Sequence, residues 1–222
     1  MLTRAYDAAA DLKRFALRAL LPITALPDPW RVRGYTHCWL PRLRALQAHV
    51  VRVTEYGIPG AVVECGVAKG GSAAVLALAL RRYGLRPLWL FDTFEGLPPP
   101  SNRDEAITQT LVGACAGSIS EVSDLFERLH LSPPTCIAGL FQTTLASTDT
   151  GPISLLHIDS DWYESVLCCL NVLWPRVTPG GIVQIDDYGY WQGCRDAVHD
   201  YFGSALPRLH RIDRDGIWLE KQ

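Results

Sequence analysis

Short apolar segments alternate with helical patterns over most of the chain, and this alternation limits the fold more than any other feature of the sequence. The predicted strands lie at 61–67, 87–94, 135–141, 153–159 and 181–187. The predicted helices lie at 40–56, 72–84, 118–130, 164–177 and 194–203. Strands that are apolar throughout and alternate with helices are typical of a parallel sheet covered by helices on both faces. The sequence therefore predicts an α/β fold, and the segments "LHRID" and "GIWLEK" suggest a closing hairpin.

The composition excludes several classes of protein. The chain has 222 residues, which suits one large domain, and a formal net charge of −2. It has no arginine-rich stripe or basic block, so we expect no nucleic-acid partner. Its seven cysteines include no CxxC pair. We therefore expect neither a disulfide framework nor a zinc site, and reduced thiols favour a cytoplasmic location.

The first 34 residues are predicted to form a separate N-terminal helix and a linker or lid segment, ahead of a domain that spans 35–222. Apolar residues recur there at helical spacing: Leu12, Phe15, Ala16, Ala19 and Leu20. Lys13, Arg14 and Arg18 interrupt this segment, which is too short to span a membrane. We expect the helix to pack on the domain or on the partner subunit of a homodimer. Contact with a membrane surface is the alternative.

Four aspartates follow two of the predicted strands: Asp159 and Asp161 after one, Asp186 and Asp187 after the next. Ligands of such folds bind beyond the C-terminal ends of the strands. If these two strands are neighbours, about 4.8 Å apart, the carboxylates converge and repel one another. A hard divalent cation such as magnesium, calcium or manganese would relieve that repulsion. The alternative is that each aspartate is a turn residue or a helix cap.

A glycine-rich turn joins the first predicted strand to its helix and contains Gly66, Gly70 and Gly71. Such a turn allows a ligand to approach the backbone closely at a helix N-terminus. Its spacing fits neither GxGxxG nor GxxxxGK[ST]. Glu64 stands at the end of the first strand and Asp92 at the end of the second, where an acid commonly accepts hydrogen bonds from ribose hydroxyls. Tight packing of the helix on the sheet is the alternative explanation for the glycines.

Four segments together resemble one enzyme family: "VVECGVAKGGSA", "LFDTFEGLP", "HIDSDWYES" and "TPGGIVQIDDYGYWQGCRDAVHDYF". They are similar to the metal-dependent S-adenosylmethionine O-methyltransferases of the macrocin O-methyltransferase type. That family methylates sugar or phenolic hydroxyls of natural products. The resemblance runs from about Tyr35 to the C-terminus. It implies a class I methyltransferase fold, which is a Rossmann-like, mostly parallel sheet with one antiparallel strand near its C-terminal end.

The resemblance also implies a role for particular residues. Asp159, Asp186 and Asp187 would hold Mg²⁺ or another divalent cation, and Asp161 would be the catalytic base. The residues expected to bind S-adenosylmethionine are Glu64, Gly66, Gly70, Ser72, Asp92, Ser118 and Asp159. The acceptor would be a small hydroxylated molecule. The sequence departs from the family in "GYTHCW", where His37 occupies the methionine position of a Tyr-Thr-Met-like motif.

The chemistry expected of such a site is in-line transfer of a methyl group to a hydroxyl. A cation lowers the pKa of the hydroxyl and a base removes its proton. Asp161 suits the base, with capping of the following helix as the alternative, and His157 is expected to be a hydrogen-bonded core residue. Trp162, Tyr188 and Trp191 either border the acceptor or only pack. A cofactor-binding partner protein without catalysis and a metal-dependent enzyme of other chemistry are the competing hypotheses.

Overall fold

The computed structural model of the protein describes residues 29–222, so the predicted N-terminal helix lies outside the described residues. A seven-stranded sheet runs through the centre of this part, in the order β3-β2-β1-β4-β5-β7-β6. The strands are β1 (Ala61–Cys65), β2 (Leu88–Asp92), β3 (Thr135–Ala138), β4 (Ile153–Ile158), β5 (Val177–Ile185), β6 (His210–Arg211) and β7 (Ile217–Glu220). Strands β1 to β5 pair in parallel, whereas β7 runs antiparallel to both of its neighbours. The predicted fold, with one reversed strand near the C-terminal end, is confirmed.

Helices cover both faces of the sheet. They are α1 (Leu40–Glu55), α2 (Gly71–Tyr83), α3 (Ile119–Arg128), α4 (Phe141–Ser147), α5 (Tyr163–Leu173) and α6 (Gln192–Phe202). One buried apolar cluster joins α1, α2 and α3 to the sheet, and a second joins α4, α5 and α6 to the opposite face. Because both faces are covered, the central strands are buried throughout, which explains their continuous apolar sequences.

Three predicted boundaries were wrong by three residues or more. Strand β3 ends at Ala138, and the predicted end at residue 141 belongs to α4, a helix that the sequence pattern missed. Helix α5 ends at Leu173, because Pro175 follows in a short 3₁₀ turn. Strand β5 begins at Val177 instead of residue 181 and passes through Pro179 and two glycines.

The ends of β1, β4 and β5 are level with one another. Cys65 pairs with Ile158, and Ile158 pairs with Ile185. The ladder continues for one more residue, since the Asp159 amide donates to the Cys65 carbonyl at 2.9 Å and the Asp186 amide donates to the Ile158 carbonyl at 3.0 Å. The two aspartate motifs therefore emerge side by side at one edge of the sheet.

None of the helices in residues 29–222 is both long enough and apolar enough to cross a membrane.

Candidate active site

A pocket of about 520 Å³ opens at the C-terminal ends of the parallel strands. All four aspartates predicted from the strand ends line it. Gly66, Ser72 and Asp92 also line it, but Glu64, Gly70 and Ser118 do not. Gly70 is the left-handed N-cap of α2, and Ser118 caps α3 by accepting a hydrogen bond from the Glu121 amide at 3.1 Å. The structure therefore brings together most of the predicted site residues at one position.

Asp92 holds the glycine-rich turn in place. One of its carboxylate oxygens accepts hydrogen bonds from the amides of Val67 at 2.6 Å and Ala68 at 2.9 Å. The other accepts from the Phe94 amide at 2.7 Å. Because these turn amides already bond to a carboxylate, they do not form a free anion cradle of the kind that binds a phosphate. The turn therefore suits a ligand without phosphate groups.

Gly66 is required by the close approach of two strand ends. Its φ is +91°, and a Cβ atom at this position would lie 1.7 Å from the carbonyl oxygen of Asp159. Only glycine adopts this backbone conformation without strain and leaves room for the neighbouring chain. The glycine thus allows Asp159 to lie against the glycine-rich turn.

Three of the carboxyl groups in the pocket have raised pKa values. Burial and the nearby Asp186 raise the pKa of Asp159 well above its usual range. Burial, together with Asp161 and Asp159, does the same to Asp187. Burial raises the pKa of Asp161 to about 6, although a hydrogen bond from Trp191 opposes the change. These shifts express the cost of holding several negative charges together away from water.

Asp161 is held in an unusual backbone conformation. Its φ is +56°, and its Oδ1 accepts a hydrogen bond from the Trp191 indole at 2.8 Å. It does not cap α5, because the Tyr163 amide at the start of that helix donates to Asp104 Oδ1 at 2.8 Å. The alternative role of Asp161 as a helix cap is therefore wrong, and its carboxylate faces the pocket.

Asp186 differs from the other three aspartates because cationic and amide groups surround it. Arg42 Nη1 donates to Oδ2 at 2.8 Å, while His157 Nε2 and Gln184 Nε2 lie 3.2 and 3.0 Å from Oδ1. Burial opposes ionisation, but the hydrogen bond from His157 and the charges of His157 and Arg42 lower the Asp186 pKa to about 2. Sequence reasoning missed Arg42, which lies 144 residues before its partner and has no recognisable motif.

Glu64 and His157 form the buried layer below the pocket. His157 Nδ1 lies 2.8 Å from Glu64 Oε1, and both side chains are fully buried. Glu64 Oε2 is buried, and none of the described residues forms a hydrogen bond with it. The predicted core role of His157 is confirmed. Although ligand atoms of Cys38, His157 and Asp186 lie within 4.8 Å of one another, both ring nitrogens of His157 already face carboxylates.

Contacts with the N-terminal ends of α5 and α6 hold the loop 93–117 over the pocket. The Trp162 indole donates to the Pro98 carbonyl at 2.8 Å, and the Gln192 amide donates to Glu105 Oε1 at 2.7 Å. Asp104 binds the start of α5, and a Cβ on Gly193 would lie 2.0 Å from Asp104 Oδ1. The loop is thus an ordered wall whose position depends on two helix N-termini.

Replacing Asp104 by alanine is expected to loosen this wall. The variant loses the cap of α5, a change that costs about 0.5–2 kcal/mol of folding stability. Urea denaturation measures this loss, and limited proteolysis should detect faster cleavage within 93–117. Asp124→Ala, an exposed position on α3, is the matched control. Equal stability and equal cleavage rates in the two variants would contradict the role given to Asp104.

The outer part of the pocket is aromatic. Trp191 lines it together with Trp39 and Tyr190, whose exposed fractions are 70% and 55%. Trp162 is buried and packs edge-to-face against Trp191, with ring centroids 5.3 Å apart. Tyr188 does not line the pocket. Of the three aromatic residues considered from sequence, Trp191 borders the pocket and Trp162 supports it.

The donor set of the pocket suits a hard divalent cation. Oδ2 of Asp187 is buried and has no hydrogen-bond partner in residues 29–222, so an oxygen ligand is available in the place where the like charges meet. Asp159 and Asp187 lie on adjacent strand ends, and a cation between them would offset their repulsion. Asp186 has the least capacity left, since Arg42, His157 and Gln184 already bond to its two oxygens.

The fold and the site define a class I methyltransferase. The mostly parallel sheet with an antiparallel pair at its C-terminal end has the architecture expected of that class, and the pocket opens at the ends of its parallel strands. The model of the family described as macrocin-O-methyltransferase (TylF) matches residues 24–221. The chain belongs to this family and is an S-adenosylmethionine-dependent O-methyltransferase.

Named relatives support this assignment. The chain is 38% identical over 201 residues to the 8-demethyl-8-(2,3-dimethoxy-alpha-L-rhamnosyl)-tetracenomycin-C 4'-O-methyltransferase of Streptomyces olivaceus, with 85% of this chain and 76% of the relative covered. It is 29% identical to the demethyldecarbamoylnovobiocin O-methyltransferase of Streptomyces niveus, with 86% and 78% covered. Among solved structures, the O-methyltransferase NovP is similar with a TM-score of 0.78 and 30% identity, over 85% of this chain and 82% of NovP.

Proposed function

We propose that the protein transfers a methyl group from S-adenosylmethionine to a sugar hydroxyl of a glycosylated natural product, with the help of a divalent cation. The observation that carries this proposal is the meeting of four aspartates, from the ends of β4 and β5, at the floor of one pocket. The Streptomyces olivaceus relative is named as a 4'-O-methyltransferase of a rhamnosyl-tetracenomycin. A sugar hydroxyl is a weak nucleophile, which is why the reaction needs the charges at this floor.

Asp159, Asp186 and Asp187 would hold the cation, preferably Mg²⁺ because all three offer hard oxygen ligands. When bound, this ion lowers the pKa of the acceptor hydroxyl. Asp187 would contribute an oxygen, Oδ2, that has no hydrogen-bond partner within the described part of the chain. Asp186 would contribute alongside its bond to Arg42, whose Nη1 donates to Oδ2 at 2.8 Å. Asp159 lies between these residues and the glycine turn, where it also borders the cofactor.

Asp161 would act as the base. It faces the same pocket, and its pKa of about 6 lies closer to neutrality than that of an ordinary carboxyl group. A base is most effective when its pKa approaches the working pH. The indole of Trp191 fixes one carboxylate oxygen at 2.8 Å, and this leaves the other oxygen to accept the hydroxyl proton.

The charges of the pocket favour an acceptor without phosphate groups. Among the described residues, six aspartates but only two arginines line it. Arg42 is paired with Asp186 and Asp213, and Arg214 is paired with Asp215. A nucleotide sugar would place a diphosphate among these acids without an unengaged arginine in the lining. The exposed rings of Trp39 and Tyr190 instead suit the apolar face of a sugar or of its aglycone.

Purified protein should methylate a glycoside with free vicinal hydroxyls when S-adenosylmethionine and MgCl₂ are present, and EDTA should abolish the reaction. The same sugar supplied as its nucleoside diphosphate should react at least about tenfold more slowly, because the pocket repels the diphosphate. Mass spectrometry of the products measures both rates. Preference for the nucleotide sugar would contradict the proposed acceptor, and full activity in EDTA would contradict the cation.

A further inference from the structure

One histidine connects the carboxyl groups of two different strands below the pocket. His157 on β4 lies 2.8 Å from Glu64 Oε1 on β1 and 3.2 Å from Asp186 Oδ1 at the end of β5. All three side chains are fully buried. Because a carboxylate oxygen accepts hydrogen bonds, each ring nitrogen of His157 faces an acceptor to which it donates when it carries a proton. The imidazole is therefore fixed at both ends, by two partners that water does not reach.

The two partners of His157 belong to different halves of the proposed site. Glu64 lies two residues before Gly66, which opens the glycine turn on the cofactor side. Its Oε2 is buried and has no hydrogen-bond partner among residues 29–222, so one acceptor oxygen of this carboxylate remains unused. Asp186 lines the pocket on the cation side and is also held by Arg42 and Gln184.

We propose that His157 is a positioning residue that holds the cofactor side and the cation side of the pocket in one arrangement, by donating to Glu64 through Nδ1 and to Asp186 through Nε2. This inference depends on the proposed function. His157 touches neither reacting group and acts only through the two carboxylates. Hydrogen-bond partners of metal ligands fix the orientation of those ligands in this way. Here the same imidazole ring also holds Glu64, which belongs to a different strand, β1.

The geometry of the ring allows the two roles to be separated by substitution. The amide nitrogen of asparagine replaces a histidine Nδ1, whereas that of glutamine replaces Nε2. His157→Asn therefore keeps a donor for Glu64 and removes the donor for Asp186. His157→Gln keeps the donor for Asp186 and removes the one for Glu64. If His157 only filled space, the two variants would not differ in which of the two ligands they bind more weakly.

Two binding measurements test the proposal without turnover. Calorimetry gives the affinity for S-adenosylhomocysteine, and electron paramagnetic resonance of free Mn²⁺ gives the affinity for the cation. We expect His157→Asn to weaken Mn²⁺ binding by about 10- to 100-fold, with the cofactor product bound nearly as in the wild type. We expect His157→Gln to weaken S-adenosylhomocysteine by at least about fivefold, with Mn²⁺ nearly unaffected.

His49→Gln is the matched control, because His49 is another buried histidine but neither of its ring nitrogens has a hydrogen-bond partner among the described residues. This variant should change thermal stability, but it should not weaken the affinity for S-adenosylhomocysteine more than that for Mn²⁺, or the reverse. Any pattern in the His157 variants other than the expected separation, including equal losses of both affinities, overturns the positioning role. A wild-type protein that binds no Mn²⁺ would instead overturn the cation in the proposed function.

If either variant does not fold, nitrogen-15 NMR of the histidine rings in the wild-type protein tests the positioning role instead. His157 is recognised by two ring N–H protons that both bond to buried carboxylates. Separate additions of S-adenosylhomocysteine and Mg²⁺ should each shift its ring signals. A ring that responds to one ligand only, or to neither, overturns the proposal.

Discussion

Asp161→Asn is expected to lower kcat by about 100- to 10,000-fold, the usual contribution of a general base. The amide keeps the size of the side chain and can still accept the Trp191 hydrogen bond, but it cannot take a proton from the acceptor. Affinities for S-adenosylhomocysteine and Mn²⁺ should stay close to those of the wild type, because Asp161 is assigned neither to the cofactor nor to the cation. Single-turnover kinetics with a bound glycoside measures the loss directly.

Asp124→Asn is the matched control for this experiment, since it makes the same chemical change at an exposed position on α3. Its kcat should equal that of the wild type. If Asp161→Asn also keeps near-normal turnover, the base is a different group. A parallel loss of Mn²⁺ affinity would place Asp161 among the cation ligands instead.

Asp187→Asn is expected to have two opposite effects on stability. In EDTA the variant should unfold at a higher temperature than the wild type, because one of several mutually repelling carboxylates has been removed. In excess magnesium the wild type should gain stability and the variant should not. A ligand at 100 times its Kd stabilises by about 2.7 kcal/mol, which corresponds to a rise in Tm of about 5–11 °C for a chain of this size.

Differential scanning fluorimetry with a magnesium titration measures both effects. Asp149→Asn is the control, because Asp149 is exposed in the turn before β4, at the opposite edge of the sheet. That variant should respond to magnesium like the wild type. If Asp187→Asn keeps the full magnesium-dependent rise in Tm, Asp187 is not a ligand and the proposed cation site is wrong.

The sequence predicted the sheet and the convergence of the aspartates because both depend on local patterns. Buried strands have continuous apolar sequences, and Asp159 and Asp186 follow directly after such strands. The register of β4 and β5 then places them side by side. Helix α4 was missed because Thr143, Thr144 and Ser147 are weak helix formers. It is stabilised by burial of Phe141 and Leu145, which a sequence window does not reveal.

The surroundings of Asp186 could not be predicted in the same way. Arg42 and Asp186 are far apart in the chain, and an arginine within a helical pattern is usually exposed. The link from His157 to Glu64 likewise joins residues separated by 93 positions. Sequence reasoning gives the type of residue at a strand end, whereas its hydrogen-bond partners depend on which elements the fold brings together.

The pocket has a rigid floor of aspartates and an exposed aromatic rim formed by Trp39 and Tyr190. This division affects how the range of acceptors can be changed. The aspartates of the floor belong to strand ends fixed by backbone pairing and buried charges. Trp39 and Tyr190 lie at the surface, so substitution there removes little buried contact. Directed evolution toward unnatural glycosides should therefore concentrate its mutant libraries on these two rim positions. Substitutions there change the contacts with the acceptor and leave the aspartates of the floor unchanged.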